Sequence, residues 1–436
     1  MRKPCLTFHL PFESHSISDT IKENRIRNLL PQKNMKTHSF SPDDSLRIEV
    51  LALCQQLIQT PSVNGLHDEL HLAHVIAAFA RAHDLDVEMT ALDAQRPNVL
   101  VRVGPPDIAA GLLLVGHMDT VPVGEAACWQ HDPFGAELHN GRLYGRGAID
   151  NKGGIAAALG ALVLLKQLGK RLRRPVLLAC VPDEESGATG HLGIKYLQAS
   201  GKLSGQGAIY VYPDMHRTAI GHRGVLRFKL TARGQSFHTG GLEWQDADHS
   251  LNAVTGMSAA LLALEALTFE SQPQPPIFAP YRTVLTPTLV QGGAGVSIVP
   301  DHCEAFVDIR LVPGTPREMV ETRVRQAINA VLAERPQLRL ELQETAFIPP
   351  TVIAEDAVIV EAVQHAVQEV RGIPPEIFVS GPANESYLLN DYGIPTLTLG
   401  PDGQGAHAVD EYVEVDSLYQ ALEIYARVGL ALGKTA

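Results

Sequence analysis

Apolar positions between residues 45 and 84 recur every three or four residues. In the first segment these positions are Leu46, Val50, Leu51, Cys54, Leu57 and Ile58. This spacing predicts an amphipathic helix over 45–59, and a similar pattern predicts a second helix over 67–84. Residues 1–44 show neither a helical nor a strand period. We expect this N-terminal segment to be disordered or to be an over-extended start.

Further along the chain, short apolar runs each end in a polar cluster. The runs are 112–115, 142–144, 176–181, 209–212 and 396–399. Helical stretches at 153–168 and 188–200 separate some of them, which predicts a mostly parallel sheet of the α/β class. Ligands of such sheets bind beyond the carboxyl ends of the strands, where all the polar clusters are expected to lie.

Residues 223–344 follow a different rhythm. The predicted elements are a strand at 225–233, a helix at 249–267, strands at 284–291 and 303–312, a helix at 316–333 and a strand at 338–344. The order βαββαβ is that of a ferredoxin-like unit. We therefore predict a catalytic domain formed by 45–222 and 345–436, with 223–344 inserted as a second domain.

Composition excludes several classes of function and partner. The chain has 36 Lys and Arg against 48 Asp and Glu, a net charge of −12, which disfavours nucleic acid and anionic membranes as partners. The apolar stretch 155–165 is short of a membrane span, and we interpret it as a buried helix. Five cysteines without a close pair indicate neither disulfides nor a thiolate metal site. With no signal-peptide pattern, these features favour a cytoplasmic protein.

The polar clusters supply side chains suited to metal binding. They are His117, Asp119, Asp150, Glu184, Glu185, Asp214 and His407. Imidazole and carboxylate groups suit zinc or a similar divalent ion. Two ions that share a bridging carboxylate need about five protein ligands, which leaves one hydrogen-bonding partner and one general base. Any one of these residues alone would be unremarkable on a protein surface; the joint pattern carries the prediction.

Several motifs resemble the M20 metallopeptidase family. They are GHMDTVP at 116–122, GRLYGRGAIDNKG at 141–153, PDEESG at 182–187, Pro213-Asp214 and Ala406-His407. The resemblance extends over about residues 45–430. It implies five ligands for two zinc ions, with cobalt as a possible substitute: His117 and Asp214 on one ion, Glu185 and His407 on the other, and Asp150 on both. It also implies that Asp119 orients the imidazole of His117 and that Glu184 is the general base.

The predicted inserted domain carries further residues of the resemblance. His238, in GQSFHTG at 234–240, would stabilise the oxyanion in the active site of the neighbouring subunit, which implies a homodimer. Arg310 would bind a substrate carboxylate, although an ion pair on the strand face is the alternative. Ser297 stands where the family often has Asn. Glu385, in SGPANES at 380–386, stands in a loop that is expected to line the pocket.

These observations predict a two-zinc amidohydrolase that cleaves the amide bond of a small N-acyl amino acid. Its expected type is a deacetylase or desuccinylase, with water activated by the metals and by Glu184. A metallo-carboxypeptidase or dipeptidase acting on a short peptide is the near alternative, and a non-catalytic metal-binding protein is a more distant one. The carbamoylase branch is disfavoured because it generally has His where this chain has Asp214.

Overall fold

The structure is a computed structural model that describes residues 40–434, except 107, 170–171 and 271–273. The expectation for the N-terminal segment therefore concerns residues that lie almost entirely outside the described part of the chain.

The described chain alternates helices with short strands. The helices are α1 Asp44–Ile58, α2 Leu70–Ala82, α3 Gly153–Gln167, α4 Ile194–Ala199, α5 Leu242–Gln245, α6 Ala253–Glu265, α7 Arg317–Glu334, α8 Val358–Arg371, α9 Ser386–Asp391 and α10 Val415–Gly433. The strands are β1 Asp86–Thr90, β2 Asn98–Val103, β3 Leu112–His117, β4 Glu137–His139, β5 Arg142–Tyr144, β6 Val176–Val181, β7 Ala208–Tyr210, β8 Arg217–His222, β9 Gly224–Arg233, β10 Val284–Gly292, β11 His302–Leu311, β12 Arg339–Ile348, β13 Thr351–Val352, β14 Glu376–Ser380, β15 Thr396–Thr398, β16 Gly403–Gln404 and β17 Tyr412–Glu414.

The central sheet has the strand order β1-β2-β6-β3-β7-β15-β8-β13, and β14 pairs with β8. Strands β6, β3, β7 and β15 run parallel to one another. The predicted fold class, α/β with a parallel centre, is confirmed. Strands β1, β2 and β13 extend the sheet by antiparallel pairing, which the sequence pattern did not predict.

Burial explains the parallel centre. Every residue of β3 and of β6 is buried, because helices cover both faces of the sheet. Helix α3 is buried over nearly its whole length and packs against α1 and α10. Together with the wide turn Ala148–Lys152 that precedes it, α3 forms the one described segment long and apolar enough to cross a membrane. All of Ala148–Gln167 is buried inside the fold. The prediction of a buried helix here agrees with the structure.

The run 142–144 was expected in the central sheet, and this expectation is wrong. Strand β5 belongs to a separate antiparallel sheet with the order β16-β17-β5-β4. The physical reason is visible in its burial: only Leu143 is buried, between two partly exposed neighbours, whereas the central strands are buried throughout. A strand that alternates in this way suits a sheet with one solvated face.

Residues 224–348 form what we call the antiparallel unit. Its sheet has the order β10-β11-β9-β12, and α6 and α7 pack together beside it. The elements follow the predicted order βαββαβ. Strand β11 alternates strictly between buried and partly exposed residues, because the two helices cover only one face. Strand β10 forms one edge of this sheet.

Candidate metal centre

His117 is the last residue of β3, and Asp119 follows two residues later; both side chains are fully buried. The Nδ1 atom of His117 lies 2.9 Å from the backbone carbonyl oxygen of Asp119 and 3.5 Å from its carboxylate Oδ1. A carbonyl oxygen only accepts hydrogen bonds, so this contact places the ring proton on Nδ1. The Nε2 lone pair of His117 is then available to a metal ion.

The carboxylate of Asp119 also organises the neighbouring loop. The backbone N–H of Glu184 donates to Asp119 Oδ1 at 3.2 Å, and that of Glu185 donates to Oδ2 at 2.9 Å. This contact arises because β3 and β6 are adjacent parallel strands, so the residues that follow each of them meet at one edge. Asp119 therefore fixes both His117 and the two consecutive glutamates.

Asp150 lies in the wide turn Ala148–Lys152, between β5 and α3, and is 4% exposed. Its Oδ1 is 3.0 Å from Nε2 of His117, and its Oδ2 is 3.4 Å from Nε2 of His407. Nε2 of His407 is also 3.0 Å from Oε1 of Glu185. One carboxylate thus stands between two imidazoles and presents one oxygen to each.

Glu411, a buried residue whose role the sequence did not reveal, holds the turn that carries Asp150. Its Oε1 accepts the backbone N–H groups of Ile149 and Asp150 at 3.0 and 3.1 Å. Its Oε2 accepts from the backbone of Gly147 at 3.0 Å and from Nη1 of Arg146 at 2.6 Å. The signal in the sequence was the acidic pair 410–411 next to His407, but its spacing alone assigns no partner.

The electrostatics of the cluster favour positive charge on both sides of Asp150. Burial lowers the pKa of His117, but hydrogen bonds to Asp119 and Asp150 outweigh it and hold that pKa well above its usual value. Hydrogen bonds to Asp150 and Glu185 raise the pKa of His407 to about 10. Although burial opposes it, the contacts of Asp150 with both imidazoles lower the pKa of its carboxyl group. Divalent cations suit two such positions.

The donor atoms fall into two overlapping groups within which all atoms lie within 4.8 Å of one another. One group is His117, Glu184 and Glu185, and the other is Asp150, Glu185 and His407. Burial raises the pKa of Glu184 to about 8, the positive charge of His117 opposes that rise, and the charges of Glu185 and Asp150 add to it. A carboxyl group with a pKa in this range is suited to accept and return a proton near neutral pH.

Asp214 is the one expected ligand that the described structure does not bring to either group. Its Oδ1 accepts the backbone N–H groups of His216 and Arg217, both at 2.9 Å. Its Oδ2 accepts from Nε of Arg217 at 2.8 Å. The chain turns sharply at this point, with a φ of 101° at Asp214, and the cation three residues later holds the carboxylate.

Of the site residues predicted in the antiparallel unit, His238 and Ser297 are neighbours. His238 is exposed, forms a backbone bridge with Ile298, and accepts a hydrogen bond at Nδ1 from Gly240. Ser297 is adjacent, since its carbonyl accepts the N–H of Thr239 at 3.0 Å. Arg310, near the end of β11, donates from Nε to Asp308 at 2.6 Å, so the ion pair considered for it is present.

Glu385 lies just before α9 and is fully buried. Within the described residues, neither carboxyl oxygen has a hydrogen-bond partner, nor does the buried hydroxyl group of Tyr210. Burial, together with the charge of Glu184, raises the pKa of Glu385 well above its usual value. Glu385 is thus a buried carboxyl group in the loop before α9, and its role in lining the substrate pocket stays a prediction.

A carboxylate between two imidazoles, beside a carboxyl group suited to proton transfer, defines the class as a metal-binding hydrolase on an α/β fold. Residues 113–430 match the family described as Peptidase family M20/M25/M40, and the chain belongs to that family. Hydrolases of this family act on amide bonds, and so does this chain.

Curated relatives match most of the chain, and a solved structure shares its fold. The chain is 29% identical over 389 residues to the succinyl-diaminopimelate desuccinylase of Rhodospirillum centenum, covering 87% of this chain and 96% of that protein. It is 28% identical over 389 residues to the acetylornithine deacetylase of Pectobacterium carotovorum, with the same coverage. The M20 family metallo-carboxypeptidase Sso-CP2 from Sulfolobus solfataricus shares the fold, with a TM-score of 0.73 at 17% identity, covering 88% of this chain and 99% of that one.

Proposed function

We propose that the protein is a two-metal amidohydrolase that removes the acyl group from a small N-acyl amino acid. The observation that carries this proposal is the position of Asp150, whose two oxygens face His117 and His407 at 3.0 and 3.4 Å. A carboxylate that presents one oxygen to each of two imidazoles is arranged to bridge two ions. The two relatives described above, a desuccinylase and a deacetylase, support the N-acyl amino acid as the substrate class.

His117, Asp150, Glu185 and His407 are the residues that would hold the ions, which we propose to be zinc with cobalt as a substitute. Bound zinc would lower the pKa of a water molecule and polarise the amide carbonyl. Glu184 would accept a proton from the attacking water on its carboxylate and pass it to the nitrogen of the leaving amine. Asp119 positions Glu184 for both transfers, because it holds the backbone N–H of that residue.

A cavity of about 720 Å³, within the size range of small-molecule sites, is lined by Tyr212, Asp214, Ser380 and Gly381 among others. The donor residues of the cluster are not part of its lining, and Asp214 is the predicted ligand that borders it. Arg310 is the proposed partner of the substrate carboxylate, for which a guanidinium group provides two parallel hydrogen bonds. It would have to exchange its present contact with Asp308 for the substrate.

The antiparallel unit is the proposed inserted lid and dimerisation domain. Edge strand β10 carries Leu289 and Val290 at 51% and 60% exposure, and an unpaired edge with apolar side chains favours pairing with a second copy. His238, exposed on the same unit, would then reach the centre of the partner subunit and donate a hydrogen bond to the developing oxyanion. Buried thiols at Cys54 and Cys180 agree with the proposed cytoplasmic location.

Hydrolysis of a substrate panel by the zinc-loaded protein tests the proposal. We expect release of free amine from N-succinyl or N-acetyl amino acids and little release from dipeptides. The matched control is Glu184→Gln, which should lose this activity while it retains zinc. Preferential cleavage of dipeptides would favour the peptidase alternative. The Sulfolobus solfataricus carboxypeptidase, which shares the fold, is a peptidase. Stoichiometric zinc binding with no hydrolysis of either class would indicate a non-catalytic metal-binding protein.

A further inference from the structure

We infer that Tyr212 is a further catalytic residue of the proposed reaction: its hydroxyl group donates a hydrogen bond to the carbonyl oxygen of the amide that is cleaved. The inference rests on the proposed function, since it concerns the same substrate bond. It gives this role to a residue of the same chain, in addition to His238, which is proposed to act from the second subunit. No bond to Tyr212 forms or breaks, so the phenol keeps its proton throughout the reaction.

Tyr212 reaches the same edge of the central sheet as His117. In the parallel register of β3 and β7, Val115 is paired with Tyr210. His117 and Tyr212 each come two residues later, at the carboxyl ends of the strands, where such sheets bind their ligands. The backbone of Tyr212 is fixed there, because its N–H donates to the carbonyl oxygen of Tyr210 at 2.8 Å. The fold thus places a phenol and an imidazole at neighbouring strand ends.

The hydroxyl group of Tyr212 lies among the groups of the candidate metal centre. The carbonyl oxygen of Val211 accepts a hydrogen bond from Nδ2 of Asn151 at 2.6 Å, and Asn151 follows Asp150 in the wide turn. The charge of Asp150 is the largest cause of the raised pKa of Tyr212, followed by burial and then by the charge of Glu184. Among the described residues, this hydroxyl group has no hydrogen-bond partner. It is therefore free to donate to a bound substrate.

Tyr212 also connects the candidate metal centre with the cavity of about 720 Å³. It lines that cavity together with Ser380 and Gly381, whereas Asp150 and Glu184 do not. A substrate that occupies the cavity and directs its amide bond toward Glu184 would bring its carbonyl group next to this phenol. The position of Tyr212 therefore suits contact with the reacting atoms.

A hydroxyl donor at this position suits amide hydrolysis. A phenol carries its proton at neutral pH, because its ordinary pKa is about 10. The carbonyl oxygen gains negative charge as water adds, and an oxyanion can accept more than one hydrogen bond. Tyr212 supplies one donor from within the chain, and His238 is proposed to supply another. The donor from Tyr212 does not depend on a second subunit.

Tyr212→Phe removes the hydroxyl oxygen and keeps the ring. We expect turnover of the zinc-loaded protein to fall by about 10²-fold, as for the loss of one oxyanion donor, while KM changes little. Zinc content and melting temperature should stay as in the wild type. The matched control is Tyr392→Phe, which removes the hydroxyl group of a tyrosine that is 38% exposed and should leave turnover unchanged. Unchanged turnover in Tyr212→Phe would overturn the inference.

Binding of a tetrahedral analogue gives a readout that does not depend on turnover. The probe is a phosphonate whose phosphorus replaces the carbonyl carbon of an N-acyl amino acid, so that a charged oxygen stands where the oxyanion forms. Calorimetry should show that Tyr212→Phe binds this phosphonate at least ~10-fold more weakly than the wild type, and binds the free amino acid product equally well. Equal affinity of the two proteins for the phosphonate would indicate that Tyr212 only forms the cavity wall, and would overturn the inference.

The proposed function and this inference fail in different ways. No hydrolysis of the substrate panel by the wild type would overturn both. Hydrolysis of the panel by the wild type and by Tyr212→Phe at the same rate would overturn only the role of Tyr212.

Discussion

Polar side chains have different surroundings in the central sheet and in the antiparallel unit. Strands β3 and β6 are buried throughout, and polar groups that follow them, such as the buried carboxylate of Asp119 and the backbone N–H of Glu185, are hydrogen-bonded to one another. Strand β11 alternates, and its polar residues form ion pairs at the surface, such as Asp308 with Arg227 at 2.6 Å. The cluster of perturbed acids and imidazoles therefore forms at the end of the doubly covered sheet.

Two histidines make this contrast concrete. His117 is fully buried and its two ring nitrogens contact Asp119 and Asp150. His238 is exposed and its ring contact is with Gly240 of its own loop. The first is fixed by its own chain, whereas the second can act only if another surface, for which we propose the second subunit, comes to it. The predictions below test this division of roles.

Metal removal should have the largest effect on activity. It acts on the candidate ligands at the end of the central sheet and not on the antiparallel unit. Prolonged dialysis against a chelator should abolish amide hydrolysis, and added zinc or cobalt should restore it. The melting temperature should also fall, since ions that bind the folded state and not the unfolded state stabilise the fold. Elemental analysis confirms removal; full turnover by a preparation shown to be metal-free would contradict the two-metal proposal.

Replacement of Glu184 should have the next largest effect. Glu184→Gln should lower turnover by at least ~10²-fold at unchanged zinc content, because the amide cannot accept a proton from water. Glu185→Gln is the matched control, one residue away, and should lose zinc instead. If Glu184→Gln loses zinc while the remaining metal-loaded protein turns over normally, the roles of the two glutamates are reversed.

His238 tests whether the antiparallel unit contributes to chemistry across subunits. His238→Ala should lower turnover by about 10²-fold and change substrate affinity little, because the oxyanion exists only after water adds. Mixing Glu184→Ala subunits with His238→Ala subunits should recover roughly a quarter of wild-type activity, since half of the dimers then carry one intact centre. No recovery after demonstrated subunit exchange would rule out a shared centre.

The smallest effect should be on stability at acid pH. Burial lowers the pKa of His222 to about 4 from its ordinary 6.5, so the folded state binds fewer protons than the unfolded state between these values. Its contribution is complete above pH 6.5 and is lost as the pH falls through 4, by about 3 kcal/mol. Denaturant unfolding of His222→Gln should therefore show less acid sensitivity than the wild type, and the exposed control His365→Gln should behave like the wild type. Equal acid sensitivity in all three would contradict this.

The sequence predicted the fold better than the detailed site. The runs 112–115 and 176–181 were recognisable because strands buried on both faces are apolar throughout. The order βαββαβ was recognisable because strands buried on one face alternate between apolar and polar residues. Asp150 was predicted as the bridging ligand, and the structure places it between His117 and His407. The hydrogen bonds that Glu411 makes to its turn were not predicted, since they join residues 261 positions apart. The pairing of Asp214 with Arg217 was equally hidden, because residue types do not reveal which of two partners a carboxylate faces.

The support that Glu411 gives to the turn of Asp150 has a consequence for the order in which the centre matures during synthesis. His407 and Glu411 leave the ribosome after the whole antiparallel unit, so a nascent chain that ends before them has β3, β6 and the Asp150 turn without their last partners. The backbone N–H groups of Ile149 and Asp150 then lack the carboxylate of Glu411, and Asp150 lacks the imidazole of His407. The candidate metal centre is therefore completed only after the antiparallel unit has been synthesised.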